Sequence, residues 1–161
     1  MFKEILYLML KITVIMVVLI LIFTFLFGIH RINDDVMWPA IKEGDLIVFY
    51  RLDKSYAAGD TAVVKYESEK QVRRIVATAG DTVDITEDGL VINGAPQFET
   101  IIFEETDRFV EGIDFPVKVG EGEIFVLGDS RKDATDSRIY GCVAVKDTLG
   151  KVVTVIRRRG I

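Results

Sequence analysis

The chain has 161 residues, half of them hydrophobic, with one cysteine, one histidine and a formal net charge of −5 at pH 7. This length fits one domain with an appendage, and the lone cysteine excludes a disulfide within one chain and a cysteine-based zinc cluster. The acidic balance argues against nonspecific nucleic-acid binding, and a single histidine argues against Ser-His or Cys-His catalysis. Neither a metal nor a cofactor is predicted.

The N-terminal segment is predicted to be a transmembrane anchor. Residues 12–29 contain no charge, and as a helix they span about 27 Å, close to the hydrocarbon thickness of a bilayer. A cleaved secretory signal has a shorter apolar core followed by a small-residue cleavage site, which is missing here. A buried core helix is disfavoured because this helix is apolar on every face.

The charges beside the anchor favour one orientation. Lys3 and Lys11 flank one end, whereas Arg31 at the other end is followed at once by Asp34 and Asp35. The positive-inside rule therefore predicts a single-pass protein of the cell membrane with a cytoplasmic N-terminus. We expect residues 1–31 to hold the anchor and residues 32–161 to form an extracytoplasmic domain. The basic run at 157–159 is either a solvated tail or a contact with anionic lipid headgroups.

Beyond the anchor the sequence predicts a mostly β, antiparallel domain and no convincing helix. Eight short apolar segments with period-two patterning read as strands, and they are DLIVFY, TAVVKY, QVRRIVA, DTVDI, GLVIN, EIFVLGD, GCVAV and KVVTVIRR. Asp88-Gly89 predicts a hairpin turn with positive φ angles. Cys142 alternates with apolar neighbours, which indicates a small core residue. Residues 97–122 are acidic with scattered aromatics, and form either a strand pair, a flap or an exposed loop.

Three motifs follow the anchor in order: VMWPAIKEGD at residues 36–45, RRIVATAGDTV at 73–83 and GDSRKDATDSRIYG at 128–141. Together they resemble the type I signal peptidases, whose motifs read S-M-x-P-T-L-x-x-G-D, K-R-(I/V)-x-G-x-P-G-D and G-D-N-x-x-x-S-x-D-S-R-x-x-G. The resemblance covers nearly the whole chain. It implies a β-rich domain tethered by an N-terminal helix, in which a serine attacks the scissile carbonyl and a neutral lysine takes its proton.

Position by position, the residues that perform this chemistry are replaced. The nucleophile position holds Val36, the general-base position holds Arg73, and the supporting serine position holds Ala134. Valine has no hydroxyl, and a guanidinium stays protonated and cannot accept a proton. The resemblance therefore implies a homologue without the Ser/Lys dyad and with no expected catalytic residue.

Other motif residues are expected to shape or support a peptide groove: Asp35, Met37, Pro39, Arg74, Ser130, Asp136 and Arg138. In the family, the charged residues at such positions form ion pairs. For Arg74, Asp129, Asp136 and Arg138 we therefore weigh buried pairing against a solvated surface.

The sequence offers few residues for a different catalyst. Asp34 and Asp35 are adjacent, but neighbours on an extended chain point apart, whereas an aspartic dyad needs facing carboxylates. Other hydroxyls and amines are available, but their spacing supports no pairing: Ser130, Ser137, Thr78, Lys65 and Lys70.

The hypothesis is a membrane-anchored, dyad-lacking homologue that binds a peptide as an added β-strand without cutting it. Such relatives occur in pilus gene clusters of Gram-positive bacteria, which implies pilin subunits or a sortase as partners, beside membrane lipid. The alternatives are an active signal peptidase with a non-standard catalyst, or an accessory subunit of an active signal peptidase.

Overall fold

The computed structural model describes residues 2–157. Its helices and strands are, in chain order, α1 (Phe2–Leu26), β1 (Phe27–Arg31), β2 (Leu46–Tyr50), β3 (Thr61–Tyr66), β4 (Glu69–Thr78), β5 (Thr82–Thr86), β6 (Gly89–Ile92), β7 (Ala95–Pro96), β8 (Val117–Lys118), β9 (Glu123–Leu127), α2 (Ser137–Tyr140), β10 (Val143–Ala144), a 3-10 helix (Val145–Asp147) and β11 (Thr148–Ile156). Residues 158 and 159 of the basic tail lie outside the described residues, so the predicted lipid contact stays a prediction.

Helix α1 carries no buried residue and is the one helix in the described chain long and apolar enough to cross a membrane. It fits a single-pass membrane anchor. Apolar side chains on every face leave no stripe for packing against a protein core, so a bilayer is the solvent that such a helix matches.

The helix ends earlier than the anchor boundary expected at residue 31. Strand β1 begins directly at Phe27 and pairs antiparallel with β2, from Phe27 opposite Tyr50 to Arg31 opposite Leu46. Gly28 in this strand faces the Phe49 ring so closely that a Cβ there would overlap it. Residues 27–31 thus belong to the sheet. Hydropathy alone missed the change because the apolar run continues from helix into strand.

The domain consists of two antiparallel sheets, which confirms the mostly β prediction. The larger sheet has the order β1-β2-β11-β3-β4-β9-β10, and the smaller has the order β7-β6-β5-β8. Every one of the eight predicted segments contains a strand. The β5–β6 hairpin also forms, with Thr86 opposite Gly89, and the positive φ of the turn pair lies at Gly89.

The sequence analysis did not predict the shortest elements of the domain. Strands β7 and β8 have two residues each, and α2 has four, too few to show a period in the sequence. Helix α2 forms because the Asp136 carboxylate caps it by accepting a hydrogen bond from the Arg138 N–H. It turns the chain at the end of the third motif.

The core is divided along the large sheet. One cluster, which includes Phe125, Leu127 and Val83, packs between the two sheets, and Cys142 is a half-buried neighbour of it. Another holds Met37 and Phe49 under the first motif. These clusters fix the ends of β4 and β9, where the three motifs meet.

Candidate functional site

The first and third motifs meet at Val36 and Ala134. A Cβ placed on Gly128 would lie 2.5 Å from the Ala134 Cβ and 2.7 Å from the Val36 Cγ1, so both side chains pack over this glycine. The Ser130 N–H donates to the Val36 carbonyl at 2.9 Å. Val36 and Ala134, where the resemblance would place the nucleophile and its supporting serine, therefore both lie against the same glycine.

The second motif joins them through Arg73 on β4, which is only 2% exposed. Its Nε and Nη2 donate to the Thr135 carbonyl at 3.0 and 2.8 Å, and its Nη1 donates to the Val72 carbonyl at 2.7 Å. Burial lowers the pKa of this guanidinium, and nearby Tyr140, Asp34 and Asp136 oppose that shift. The side chain clamps the backbone next to Ala134 as a cation and has no lone pair to act as a base.

Arg74 and Asp129 form a bidentate ion pair below the motifs. The Arg74 Nε and Nη2 donate to the two carboxylate oxygens at 2.7 and 2.6 Å, and Asp129 is buried. These hydrogen bonds raise the pKa of Arg74. A planar fork on a buried carboxylate fixes both distance and direction, so this pair locks the start of the third motif onto β4.

Asp136 and Arg138 form a second buried pair within the third motif. The Asp136 carboxylate accepts from Arg138 Nε and Nη2, both at 2.9 Å, and from the Gly128 N–H at 3.1 Å. Arg138 also donates to the carbonyls of Arg131 and Asp107. For the two ion pairs, Arg74–Asp129 and Asp136–Arg138, buried pairing therefore replaces the solvated-surface alternative.

Arg131 is a site residue that the sequence analysis missed. It is fully buried and donates to the Gly128 carbonyl, to the Thr106 hydroxyl and to the Glu99 carboxylate, the last at 2.7 Å. Its position inside the third motif was the one available signal. Together with Arg138 it fastens residues 97–113 against the site, since the Ile113 N–H also donates to the Arg138 carbonyl.

The alternative catalysts are not assembled in the described part of the chain. The Ser137 hydroxyl is buried and accepts from the Val126 N–H at 3.0 Å, which is a structural role. Asp34 and Asp35 accept from different backbone groups, the N–H of Val36 and that of Glu43. Among residues 2–157, no lysine amino group bonds a serine hydroxyl.

Thr78 and Ser130 have other partners. The Thr78 hydroxyl lies 3.3 Å from the Asp81 carboxylate, and the Ser130 hydroxyl lies 3.5 Å from the Glu104 carboxylate. Lys65 and Lys70 face each other across β3 and β4. None of these contacts pairs a hydroxyl with a basic nitrogen, as a nucleophile would require.

An open cleft of about 370 Å³ lies beside Val36. Its lining is Asp34, Asp35, Val36, Trp38, Ser130 and Asp133. Of the predicted architectural residues, Met37 is buried in the core and Pro39 is partly exposed, and neither lines this cleft. Trp38 and Phe103 were not predicted, yet their rings lie 6.1 Å apart at this cleft.

An unpaired strand edge leads toward Arg73. Strand β4 pairs with β3 from Glu69 to Arg74, but β9 pairs with β4 only from Arg74 onward. On the β9 side, residues 69–73 therefore have no strand partner in the described sheet. A free edge of this kind is where an extended peptide adds as a further strand.

Comparison with known proteins gives a consistent result. The family model "Signal peptidase, peptidase S26" matches residues 5–157. Signal peptidase I S of Bacillus subtilis (strain 168) is 34% identical over 140 residues, which cover 80% of this chain and 76% of that protein. Signal peptidase I P of Bacillus subtilis subsp. natto is 30% identical over 151 residues, covering 84% and 82% respectively.

A solved structure matches as well. The crystal structure of a signal peptidase I from Enterococcus faecalis V583 aligns with a TM-score of 0.51 and 26% sequence identity. The alignment covers 62% of this chain and 97% of that one. The sequence relatives and the structural match are therefore all signal peptidases.

Proposed function

Because this chain belongs to the signal peptidase family, peptidase S26, we propose that it is a non-catalytic member that holds an extended peptide without cleaving it. The observation on which the proposal rests is the set of hydrogen bonds that Arg73 makes. All three of its donating nitrogens bond the carbonyls of Thr135 and Val72, so this side chain stabilises the site and cannot deprotonate a nucleophile. Val36 supplies no nucleophile.

The peptide-holding part of the proposal is supported by backbone that has no strand partner among the described residues. The free edge of β4 runs along residues 69–73 and ends where β9 begins to pair with β4, at Arg74 opposite Leu127. Two buried ion pairs, Arg74–Asp129 and Asp136–Arg138, hold these surfaces rigid. A rigid, preformed edge lowers the entropic cost of adding a strand.

The biological setting is proposed from the resemblance to dyad-lacking relatives in pilus gene clusters. In that setting the domain lies outside the membrane, tethered by α1, and the bound segment belongs to a pilin subunit or to a sortase. The anchor would place the groove near the membrane, where secreted chains emerge.

The test is cleavage of a preprotein by the full-length protein in detergent, with a signal peptidase I of demonstrated activity as the positive control. We expect no product, and we expect binding of the preprotein's extended segment in a pull-down with the same material. Specific cleavage would overturn the proposal and favour an active signal peptidase with a non-standard catalyst.

The accessory-subunit alternative gives a different result. A subunit of an active signal peptidase would co-purify with that enzyme in stoichiometric amount and would change its cleavage rate. The proposed peptide-holding protein binds the substrate segment in the absence of any enzyme. Co-purification without independent peptide binding would therefore replace the proposal by the accessory role.

A further inference from the structure

We propose that the cleft beside Val36 recognises a segment that carries a lysine or arginine next to apolar residues. The inference rests on the proposed function and adds the chemistry of the ligand. It combines two features of the same surface, an exposed aromatic pair and a surrounding negative charge, which belong to residues that are far apart in the sequence.

The aromatic pair is Trp38 and Phe103. The rings lie 6.1 Å apart, yet Trp38 is 45% exposed and Phe103 is 72% exposed. Large aromatic side chains left in water at the rim of a cleft are typical anchors of protein interfaces. The arginines that fasten residues 97–113 keep Phe103 in this place, so the surface exists before a ligand arrives.

The charge at the cleft is negative. Three of its six lining residues are Asp34, Asp35 and Asp133, and no lining residue is cationic. Asp34 and Asp35 each accept one backbone N–H, at 3.3 and 2.9 Å. Within residues 2–157, no hydrogen bond or ion pair engages the Asp133 side chain. These carboxylates keep free acceptor capacity toward the opening.

Cations lie near this cleft, but among residues 2–157 none forms an ion pair with Asp34, Asp35 or Asp133. Arg73 interacts electrostatically with Asp34, but its donors are held by the carbonyls of Thr135 and Val72. Lys132 precedes Asp133 and is not part of the lining, and its backbone N–H donates to the Glu104 carboxylate at 3.0 Å. A further negative group, Glu104, thus lies beside the aromatic pair.

Charge complementarity decides between occupants of this cleft. Anionic lipid headgroups and acidic segments are repelled, including residues 97–122 of a second copy. A lysine or arginine can lay its aliphatic stem on the Trp38 ring and bring its charged end to Asp34 or Asp133. The occupant is therefore a basic segment of another protein.

The experiment uses the full chain in non-ionic detergent and three matched peptides. Each peptide is an alternating Ala-Val sequence with one central residue, Lys, Gln or Glu. Trp38 is the single tryptophan of the chain, so its fluorescence reports occupancy of this cleft directly. We expect the Lys peptide to bind at least about threefold more tightly than the Gln peptide, the Glu peptide to bind most weakly, and added salt to reduce the difference.

Single substitutions test which residues produce the preference for the Lys peptide. Asp34→Asn and Asp133→Asn remove a charge while each keeps an oxygen acceptor, and both should reduce the preference for Lys over Gln. Asp88→Asn, an exposed change of the same type in the β5–β6 turn, should leave the preference unchanged. Circular dichroism checks that each variant is folded, and the salt dependence of the unaltered protein tests the inference without any variant.

The outcomes are distinguishable. Equal binding of the Lys and Gln peptides, or a preference that survives both Asp→Asn changes and high salt, overturns the inference and leaves the peptide-holding function standing. No binding of any peptide contradicts the peptide-holding function itself, and the inference fails with it.

Discussion

At the scale of single residues, Arg73 supports the proposed absence of Ser/Lys catalysis more strongly than Val36 does. A valine could be exchanged for serine without adding volume, but Arg73 is buried and bonds the Thr135 carbonyl through two nitrogens. Lysine has one point-like ammonium and cannot reproduce that fork. Arg73 is thus part of the architecture.

We therefore expect the double variant Val36→Ser, Arg73→Lys to give no robust preprotein cleavage. The new lysine would lie near Ala134, which offers no hydroxyl to orient it. The measurement is product formation over time, with the triple variant that adds Ala134→Ser as the matched comparison. Strong cleavage by the double variant would show that the supporting hydroxyl is dispensable.

Tyr140 gives a pH prediction at the same scale. Burial raises the pKa of its phenol above the ordinary 10.0, while Arg73 acts in the opposite direction. Well below pH 10 the phenol is neutral in both the folded and the unfolded protein. Above pH 10 the unfolded chain loses the proton first, so stability falls as pH rises toward the folded-state pKa, by at most about 1.4 kcal/mol per pH unit for this group.

The measurement is the free energy of unfolding by urea on both sides of pH 10, in the parent protein and in Tyr140→Phe. The variant should lose part of the alkaline slope. Equal slopes in the two proteins would mean that the Tyr140 phenol lacks the raised pKa that its partial burial implies.

At the scale of elements, β1 decides where the domain begins. It adds five paired residues to the edge of β2, and Gly28 lets the strand lie directly on the Phe49 ring. A fragment that starts at residue 32 would lose this strand and expose Phe49, whereas one that starts at residue 27 keeps both.

We expect the free energy of unfolding of the fragment 27–161 to exceed that of the fragment 32–161 by about 2 kcal/mol or more. In the shorter fragment the Phe49 side chain and the edge of β2 would be exposed to water. Urea unfolding followed by circular dichroism measures the difference. Gly28→Ala in the longer fragment is the matched comparison and should also destabilise it, since its Cβ overlaps the Phe49 ring. Equal stability of the two fragments would contradict the role given to β1.

At the scale of the whole molecule, the charges on either side of α1 predict the topology. Lys3 and Lys11 lie toward its N-terminal end, and the positive-inside rule places them on the cytoplasmic side. The acidic β domain would then lie outside, where a peptide groove can meet secreted chains.

Cysteine labelling tests this orientation. In a Cys142→Ala background, Glu121→Cys should react with a membrane-impermeant maleimide on intact cells. Lys3→Cys should react only after permeabilisation. The reverse pattern would place the domain in the cytoplasm and remove the basis for a role in surface assembly.

Local patterns were sufficient for much of this protein. The apolar run predicted a membrane-spanning helix, and alternation predicted the longer strands, because both signals lie within one segment. The identity of the residues at 36, 73 and 134 was also readable, since a missing hydroxyl or a guanidinium has the same chemistry in any fold.

Contacts between distant segments were decided only by the tertiary structure. The sequence did not show that β1 continues the apolar run as an edge strand, that Arg131 and Arg138 fasten residues 97–113, or that Phe103 reaches Trp38. Each of these depends on which segments pack beside one another, and a single-segment pattern carries no record of its neighbour. The sequence by itself determined which side chains stand at residues 36, 73 and 134. The tertiary structure decided what the remaining surface presents to a partner.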